Sequence, residues 1–376
     1  MVDQPNRGKT LEETKAYLLE RTLAGRNPMD GSKEADVREA LTRLKSDDPD
    51  HWAEVWMQTA RPYEEAGLEA ERKGDDAAAH DAFMLAYQYY RLGRFPAPNS
   101  PGKIASGQAS IANYLAAARY FDPPLEVLNI PFAGAAGEGP LVRCYLRKPA
   151  GVERPPVVIH HGGIDSFKEE RHRYAGPVLG RGWASLAIDM PGTSESPVKG
   201  ALDGERVYEP VLAHLRERSD VDGNRVALVG GSFGGYWATK VAHVYHDQFA
   251  GVVNWGGGVH YGFQPDWINA SRYAGSYLTD LLGTRAFAFG LGSADEWLEF
   301  APKLSMLDSG VIDGEHAPML LVNGKDDAQT PIADLYLLLE HGAPKDTRVF
   351  PGGHMGQTPD TYPTILRWIE ARFTAS

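Results

Sequence analysis

Two regimes of hydrophobic spacing divide the chain. Over roughly the first 120 residues, apolar positions recur at the three-to-four spacing of amphipathic helices. LEETKAYLLERTLAG (11–25) closes on Gly25, DHWAEVWMQTARPYEEAGLEAERKG (50–74) on Gly74, and DDAAAHDAFMLAYQYYRLG (75–93) on Gly93, each glycine in a position suited to end a helix. SGQASIANYLAAARYF (106–121) predicts a further helix before the break at Pro123 and Pro124. No strand pattern interrupts these segments and no fixed repeat period is legible, so an N-terminal helical domain over 1–125 is expected.

From Leu125 the pattern changes. Leu125–Phe132 and Leu141–Arg147 read as two strands of a hairpin joined by GAAGEG. Short apolar runs then alternate with helical stretches: VVIH (157–160), ASLAID (184–189), RVALVG (225–230), GVVNW (251–255), MLLVNG (319–324) and TRVFPG (347–352). Continuous apolar strands separated by helices predict a mostly parallel sheet covered on both faces. The prediction is an α/β domain over 126–376 with eight strands. Residues 255–305 break the alternation and hold ten of the chain's 38 aromatics: Trp255, Tyr261, Phe263, Trp267, Tyr273, Tyr277, Phe287, Phe289, Trp297 and Phe300. Two readings of this insertion compete, a helical lid over a pocket and ordinary packing of extra helices.

Composition narrows the function classes. With 38 basic and 50 acidic residues the net charge is −12, which leaves no electrostatic footprint for nucleic acid or an anionic membrane. The lone cysteine, Cys144, permits no intrachain disulfide and sits where a strand would bury it. The polar start MVDQPNRGKT lacks the apolar stretch of a signal peptide, and no window approaches a membrane span, so a cytoplasmic protein is expected.

One motif carries the chemistry. Gly230-Gly231-Ser232-Phe233-Gly234 follows the strand RVALV and precedes the helix YWATKVAHVY. That is Gly-x-Ser-x-Gly in its strand–turn–helix setting, the nucleophile elbow of the α/β-hydrolase fold. A serine hydroxyl needs a base, and this fold supplies acid and then histidine after its later strands. His354 in PGGHMG directly follows the last strand. After the preceding strand, NGKDDAQTP offers Asp326 and Asp327, and the spacing Gly324, Asp327, Pro331 favours Asp327 as the acid. The catalytic set read from the sequence is Ser232, Asp327 and His354. Its oxyanion would be held by the backbone N–H of Phe233 and by one from VVIHHGGIDS, where Gly163 allows the closest approach. His160 and His161 adjoin that loop and read as neutral fillers of the strand end. A metal site would need further ligands, so neither metal nor cofactor is expected. Asp189, in the Asp-x-x-Gly-x-Ser run IDMPGTSES, reads as a turn-former.

Taken in order, the helical N-terminal region, HHGGIDSFKEER, IDMPGTSES, GGSFGGYWA and PGGHMG resemble a subgroup of α/β-hydrolases, over about residues 40–376. That subgroup includes 2,6-dihydroxypseudooxynicotine hydrolase, the fungal polyketide-shortening hydrolases and the fermentation–respiration switch protein. The resemblance implies cleavage of a carbon–carbon bond beside a carbonyl in an aromatic or polyketide-like ketone, and a homodimer. Its most specific piece is GGIDSFKEE: related enzymes carry Gly-Gly-x-Glu-Ser there, and the matching residue is Asp165, one carbon shorter. Asp165 is a candidate for orienting or protonating the leaving group, or a turn residue capping its own backbone. Glu169 and Glu170 read as surface or loop-stabilising residues. The expected partner is a small, aromatic substrate, with the helical domain and the insertion roofing the site. A carboxylesterase with the same residues is the competing reading.

Overall fold

The computed structural model describes residues 9–271, 277 and 279–375, and its packing divides the chain into two compact units. One is Met1–Leu125 together with Tyr277–Leu281; the other is Glu126–Ser276 and Leu282–Ser376.

The helical unit contains α1 (Leu11–Leu23), α2 (Glu34–Arg43), α3 (Pro49–Lys73), α4 (Asp76–Arg94) and α5 (Pro101–Ala118). Its core joins Leu18, Met29, Val37, Trp52, Trp56, Tyr89 and Leu92. Gly74 ends α3 in a left-handed conformation, φ 70°, which a glycine adopts without steric cost. Gly93 does not end α4, which runs on to Arg94. Its missing Cβ serves packing instead, because a side chain there would lie 2.2 Å from Ser106 Oγ on α5. Helix α5 starts earlier than the apolar spacing suggests, since Ser100 caps it and Pro101 opens it. Helix α2 has no side-chain cap and only two buried residues, Val37 and Ala40, which explains its weak sequence signal.

The second unit is built on an eight-stranded sheet: β1 (Leu125–Pro131), β2 (Leu141–Arg147), β3 (Pro156–His161), β4 (Ala184–Ile188), β5 (Asp222–Gly231), β6 (Gly251–Trp255), β7 (Met319–Gly324) and β8 (Asp346–Phe350). The order across the sheet is β1-β2-β4-β3-β5-β6-β7-β8. Strand β2 lies antiparallel to β4, and from β4 to β8 every pair is parallel. Strands β3, β4, β6 and β7 are buried along their whole length, as the continuous apolar runs require. Between them come α6 (His172–Leu179), α7 (Tyr208–Glu217), α8 (Phe233–Val244) and α12 (Ile332–Glu340), with α13 (Thr361–Ala375) last. One face of the sheet packs Val158, Val229, Val253 and Val322 against Val178 of α6 and Ile365, Ile369 and Phe373 of α13.

This order places the site. After β3 the chain moves out to β4, then crosses back to β5 on the other side of β3. The connections leaving the C-terminal ends of β3 and β5 therefore diverge, and a crevice opens between them, the usual ligand position in an open parallel sheet. The insertion between β6 and β7 carries α9 (Pro265–Ser271), α10 (Leu281–Ala288) and α11 (Ala294–Phe300). Of its aromatics, Trp255, Phe263, Phe289 and Trp297 are buried; Tyr273 lies outside the described residues. No helix among the described residues is long and apolar enough to cross a membrane.

Candidate active site

Strand β5 runs straight into α8, and the single residue between them is Ser232. Its backbone takes φ 56°, ψ −128°, a conformation that a side chain rarely adopts and that persists only when its surroundings enforce it. Here they do. The Ser232 N–H donates to Trp255 O at 2.8 Å, and the Ser232 carbonyl accepts from Gly235 N at 2.8 Å. The flanking glycines are steric requirements: a Cβ on Gly230 would lie 2.3 Å from Gly234 O, and one on Gly234 would lie 2.3 Å from Gly162 O. The turn therefore lifts the hydroxyl above the strand end, at the positive end of the α8 dipole.

Two further strand ends bring their residues to that hydroxyl. His354, after β8, places Nε2 2.7 Å from Ser232 Oγ, and its Nδ1 lies 2.8 Å from Asp327 Oδ2. Asp327, after β7, is buried, and its other oxygen accepts the N–H groups of Gln329 (2.8 Å) and Thr330 (3.1 Å). Burial alone would raise its pKa. The His354 charge and hydrogen bond, with the two backbone donors, outweigh that and hold it below the ordinary carboxylate value. Asp326 is exposed, and its backbone N–H bonds Gly352 O.

The loop after β3 closes the other side. A Cβ on Gly163 would lie 2.9 Å from Ser232 Oγ and 3.3 Å from Phe233 N, so at this position the backbone itself lies against the serine. Asp165 is half-buried within the turn closed by Ser166 N–H to Gly163 O. The Phe233 ring meets Tyr236, Phe263, Phe289 and Trp297, with centroids 5.6–6.2 Å apart, so the residue after the serine packs into the buried aromatics of the insertion.

One group departs from the surface reading of the sequence. Lys168, Glu169 and Glu170 are all buried. Lys168 is inaccessible, with Nζ 2.8 Å from Asp189 Oδ2, 2.7 Å from Glu195 Oε2 and 3.1 Å from Glu169 Oε1, while its backbone N–H donates to Asp189 Oδ1 at 2.8 Å. Burial works against the ammonium, but Asp189, Glu169, Tyr145 and Glu195 outweigh it and lift its pKa well above the usual lysine value. Asp189 thus ties the loop after β4 to the end of the loop carrying Gly163. Glu170 accepts the N–H of Phe167 in the same loop. Replacing Lys168 by Met would strand the buried Asp189 and Glu169 carboxylates, and a cost of about 3–5 kcal/mol is expected. Urea denaturation measures it; a loss below about 1 kcal/mol would mean the carboxylates find other partners.

Comparison with known proteins agrees with this architecture. Residues 44–338 match the family model described as Esterase FrsA-like. The alpha/beta hydrolase psoB of Aspergillus fumigatus is 27% identical over 282 residues, covering 66% of this chain and 62% of that protein. The 20-hydroxy-prefusarin hydrolase FUS2 of Gibberella moniliformis is 31% identical over 238 residues, covering 58% and 55%. The chain thus spans little more than half the length of these curated relatives. The crystal structure of 2,6-dihydroxy-pseudo-oxynicotine hydrolase superposes with a TM-score of 0.75 at 22% identity, covering 96% of both chains. With the family match spanning most of the sequence and the fold shared end to end, the chain belongs to the FrsA-like esterase family of α/β-hydrolases.

Proposed function

We propose that the chain is a serine hydrolase that cleaves a carbon–carbon bond next to a carbonyl in an aromatic or polyketide-like ketone. The observation that carries the hydrolase reading is the continuous relay from Ser232 Oγ to His354 Nε2 at 2.7 Å and from His354 Nδ1 to Asp327 at 2.8 Å. In the reaction, Ser232 Oγ attacks the carbonyl carbon while His354 Nε2 takes its proton. The oxyanion is held by the N–H groups of Phe233 and Gly163. The carbonyl then re-forms, the carbon–carbon bond breaks, and its electron pair leaves on carbon, where the proton held by His354 neutralises it. Water, deprotonated by His354, hydrolyses the acyl-serine and restores the hydroxyl.

Two features support the ketone reading: the GGIDS loop beside the serine, and similarity to proteins that include a 20-hydroxy-prefusarin hydrolase and a 2,6-dihydroxy-pseudo-oxynicotine hydrolase. The family description favours a second reading, a carboxylesterase using the same residues. A screen of aryl ketones and β-diketones against p-nitrophenyl esters separates the two. Turnover of esters alone would reject the ketone reading.

Asp165 refines that test. If its carboxyl assists the carbon leaving group, Asp165→Asn depresses ketone cleavage at least tenfold, within the range of acid–base contributions, and leaves p-nitrophenyl ester hydrolysis nearly unchanged. The nitrophenolate leaves without a proton, which is why the two substrates diverge. Asn substitutes well for Asp in a turn, so survival of both activities would reduce Asp165 to a backbone cap.

A further inference from the structure

The residue after the histidine is as unusual as the serine. Met355 has φ 66°, ψ −2°, a left-handed conformation uncommon for any side chain but glycine. Both of its backbone polar groups are taken by side chains. Its N–H donates to Asn323 Oδ1 at 3.0 Å, and its carbonyl accepts Trp255 Nε1 at 2.6 Å. Asn323 lies on β7 and its Oδ1 also accepts Gly324 N–H at 2.8 Å. Trp255 is the last residue of β6, in register with Gly231 on one side and Val322 on the other. Both side chains are buried.

Trp255 does more than hold the loop. Its own carbonyl accepts the Ser232 N–H at 2.8 Å, so one rigid residue bonds the backbone of the serine and the backbone next to the histidine. Its ring is fixed in turn, stacked on Tyr362 at 6.0 Å and edge-on to Tyr174 at 5.9 Å. Glycines leave room for the Met355 side chain: a Cβ on Gly256 would lie 2.8 Å from Met355 Cγ, and one on Gly231 would lie 3.1 Å from its Cε. Nothing in the apolar pattern of β6 and β7 requires a tryptophan or an asparagine at these places.

We infer that Trp255 and Asn323 are positioning residues: by fixing Met355 in its left-handed turn they set the distance between His354 and Ser232. The inference rests on the reading of Ser232 and His354 as nucleophile and base. The indole N–H of Trp255 and the amide oxygen of Asn323 bond the Met355 backbone rather than Ser232 or His354, so each side chain acts through Met355. The loop PGGHMG carries two glycines before the histidine, and a free loop of that kind would let the imidazole wander. A displacement of about 1 Å at a reacting group is enough to cost on the order of a hundredfold in rate.

The test uses the full-length chain, a fluorophosphonate probe that reacts with activated serines, and p-nitrophenyl butyrate. Trp255→Phe removes the indole N–H and keeps the ring. Asn323→Ala removes the acceptor, and Asn323→Asp restores an acceptor oxygen at the same place. Expected are about 10- to 100-fold falls in kcat and in labelling rate for Trp255→Phe and Asn323→Ala, with KM little changed, and recovery of most of the loss in Asn323→Asp. His354→Ala is the control. If His354→Ala labels as fast as the parent, the nucleophile–base reading fails. If His354→Ala is inert while Trp255→Phe and Asn323→Ala keep full kcat, the positioning role alone is overturned. Losses that follow a lowered Tm, with Asn323→Asp no better than Asn323→Ala, would also overturn it in favour of a purely structural role.

Discussion

Ser232→Ala is expected to keep the fold and to lower turnover about a million-fold, the scale on which serine hydrolases lose activity when nucleophile or base is removed. The hydroxyl bonds His354 Nε2, while the backbone at this position is held by Trp255 O and Gly235 N, contacts an alanine preserves. The strained φ is already tolerated with a side chain present, so alanine adds no backbone cost. His354→Ala should fall about as far, because without the imidazole the serine proton has no acceptor. Asp327→Asn should cost less, about ten-thousand-fold, since an amide can still face Nδ1 but favours the wrong tautomer. Steady-state hydrolysis of an activated ester and a thermal melt on each variant check both halves. Near-normal turnover in Ser232→Ala with an unchanged Tm would mean that the relay is not the reacting centre.

Much of this architecture is legible in the chain, and the reasons are local. The inner strands β3, β4, β6 and β7 announce themselves because a parallel sheet covered on both faces needs apolar residues at consecutive positions, as VVIH, ASLAID and MLLVNG supply. Ser232 is visible because its turn cannot form without small neighbours, so the sterics are written as glycines. Asp327 and His354 follow from the chain order of the fold and the turn residues beside them. What escapes the sequence is set by contacts distant along the chain. Gly93 looks like a helix stop but is a packing notch for Ser106. Glu169 reads as a surface or loop-stabilising residue, and its burial becomes tolerable only where Lys168 meets it together with Asp189 and Glu195 of the loop after β4. Asn323 and Trp255 sit in ordinary strand positions, and their task appears only when β6, β7 and the histidine loop are brought together.

The second large effect is acid lability. His160 and His161, at the end of β3, are both fully buried beneath the crevice. His160 stacks on Tyr174 at 6.3 Å and tilts against Tyr362; His161 tilts against Tyr208, and its Nδ1 lies 3.3 Å from Gly162 O. The charged groups facing them offer no relief. Burial is the main cause that pushes both pKa values down to about 3, and the Arg171 guanidinium adds to it for both rings. In the unfolded chain these imidazoles take protons near their ordinary value of about 6.5. Between those limits the unfolded state binds more protons than the folded one, so stability falls as pH drops through the window. Above about pH 6.5 neither state is charged at these sites and they contribute no slope. At about 1.4 kcal/mol per pKa unit, burial of these rings withdraws on the order of a few kcal/mol as the pH falls toward 4, a large share of a typical domain's margin. The urea midpoint is therefore expected to fall steeply from pH 6.5 to 4 and to stay flat, so far as these rings are concerned, from 6.5 to 8. His160→Phe keeps a ring against Tyr174 but cannot take a proton, so it should remove about a third of the slope, with His161 and His243, which burial also holds down to about 4, supplying the rest. A midpoint that holds steady down to pH 4, or a slope that His160→Phe leaves untouched, would show that these rings do not set the acid limit.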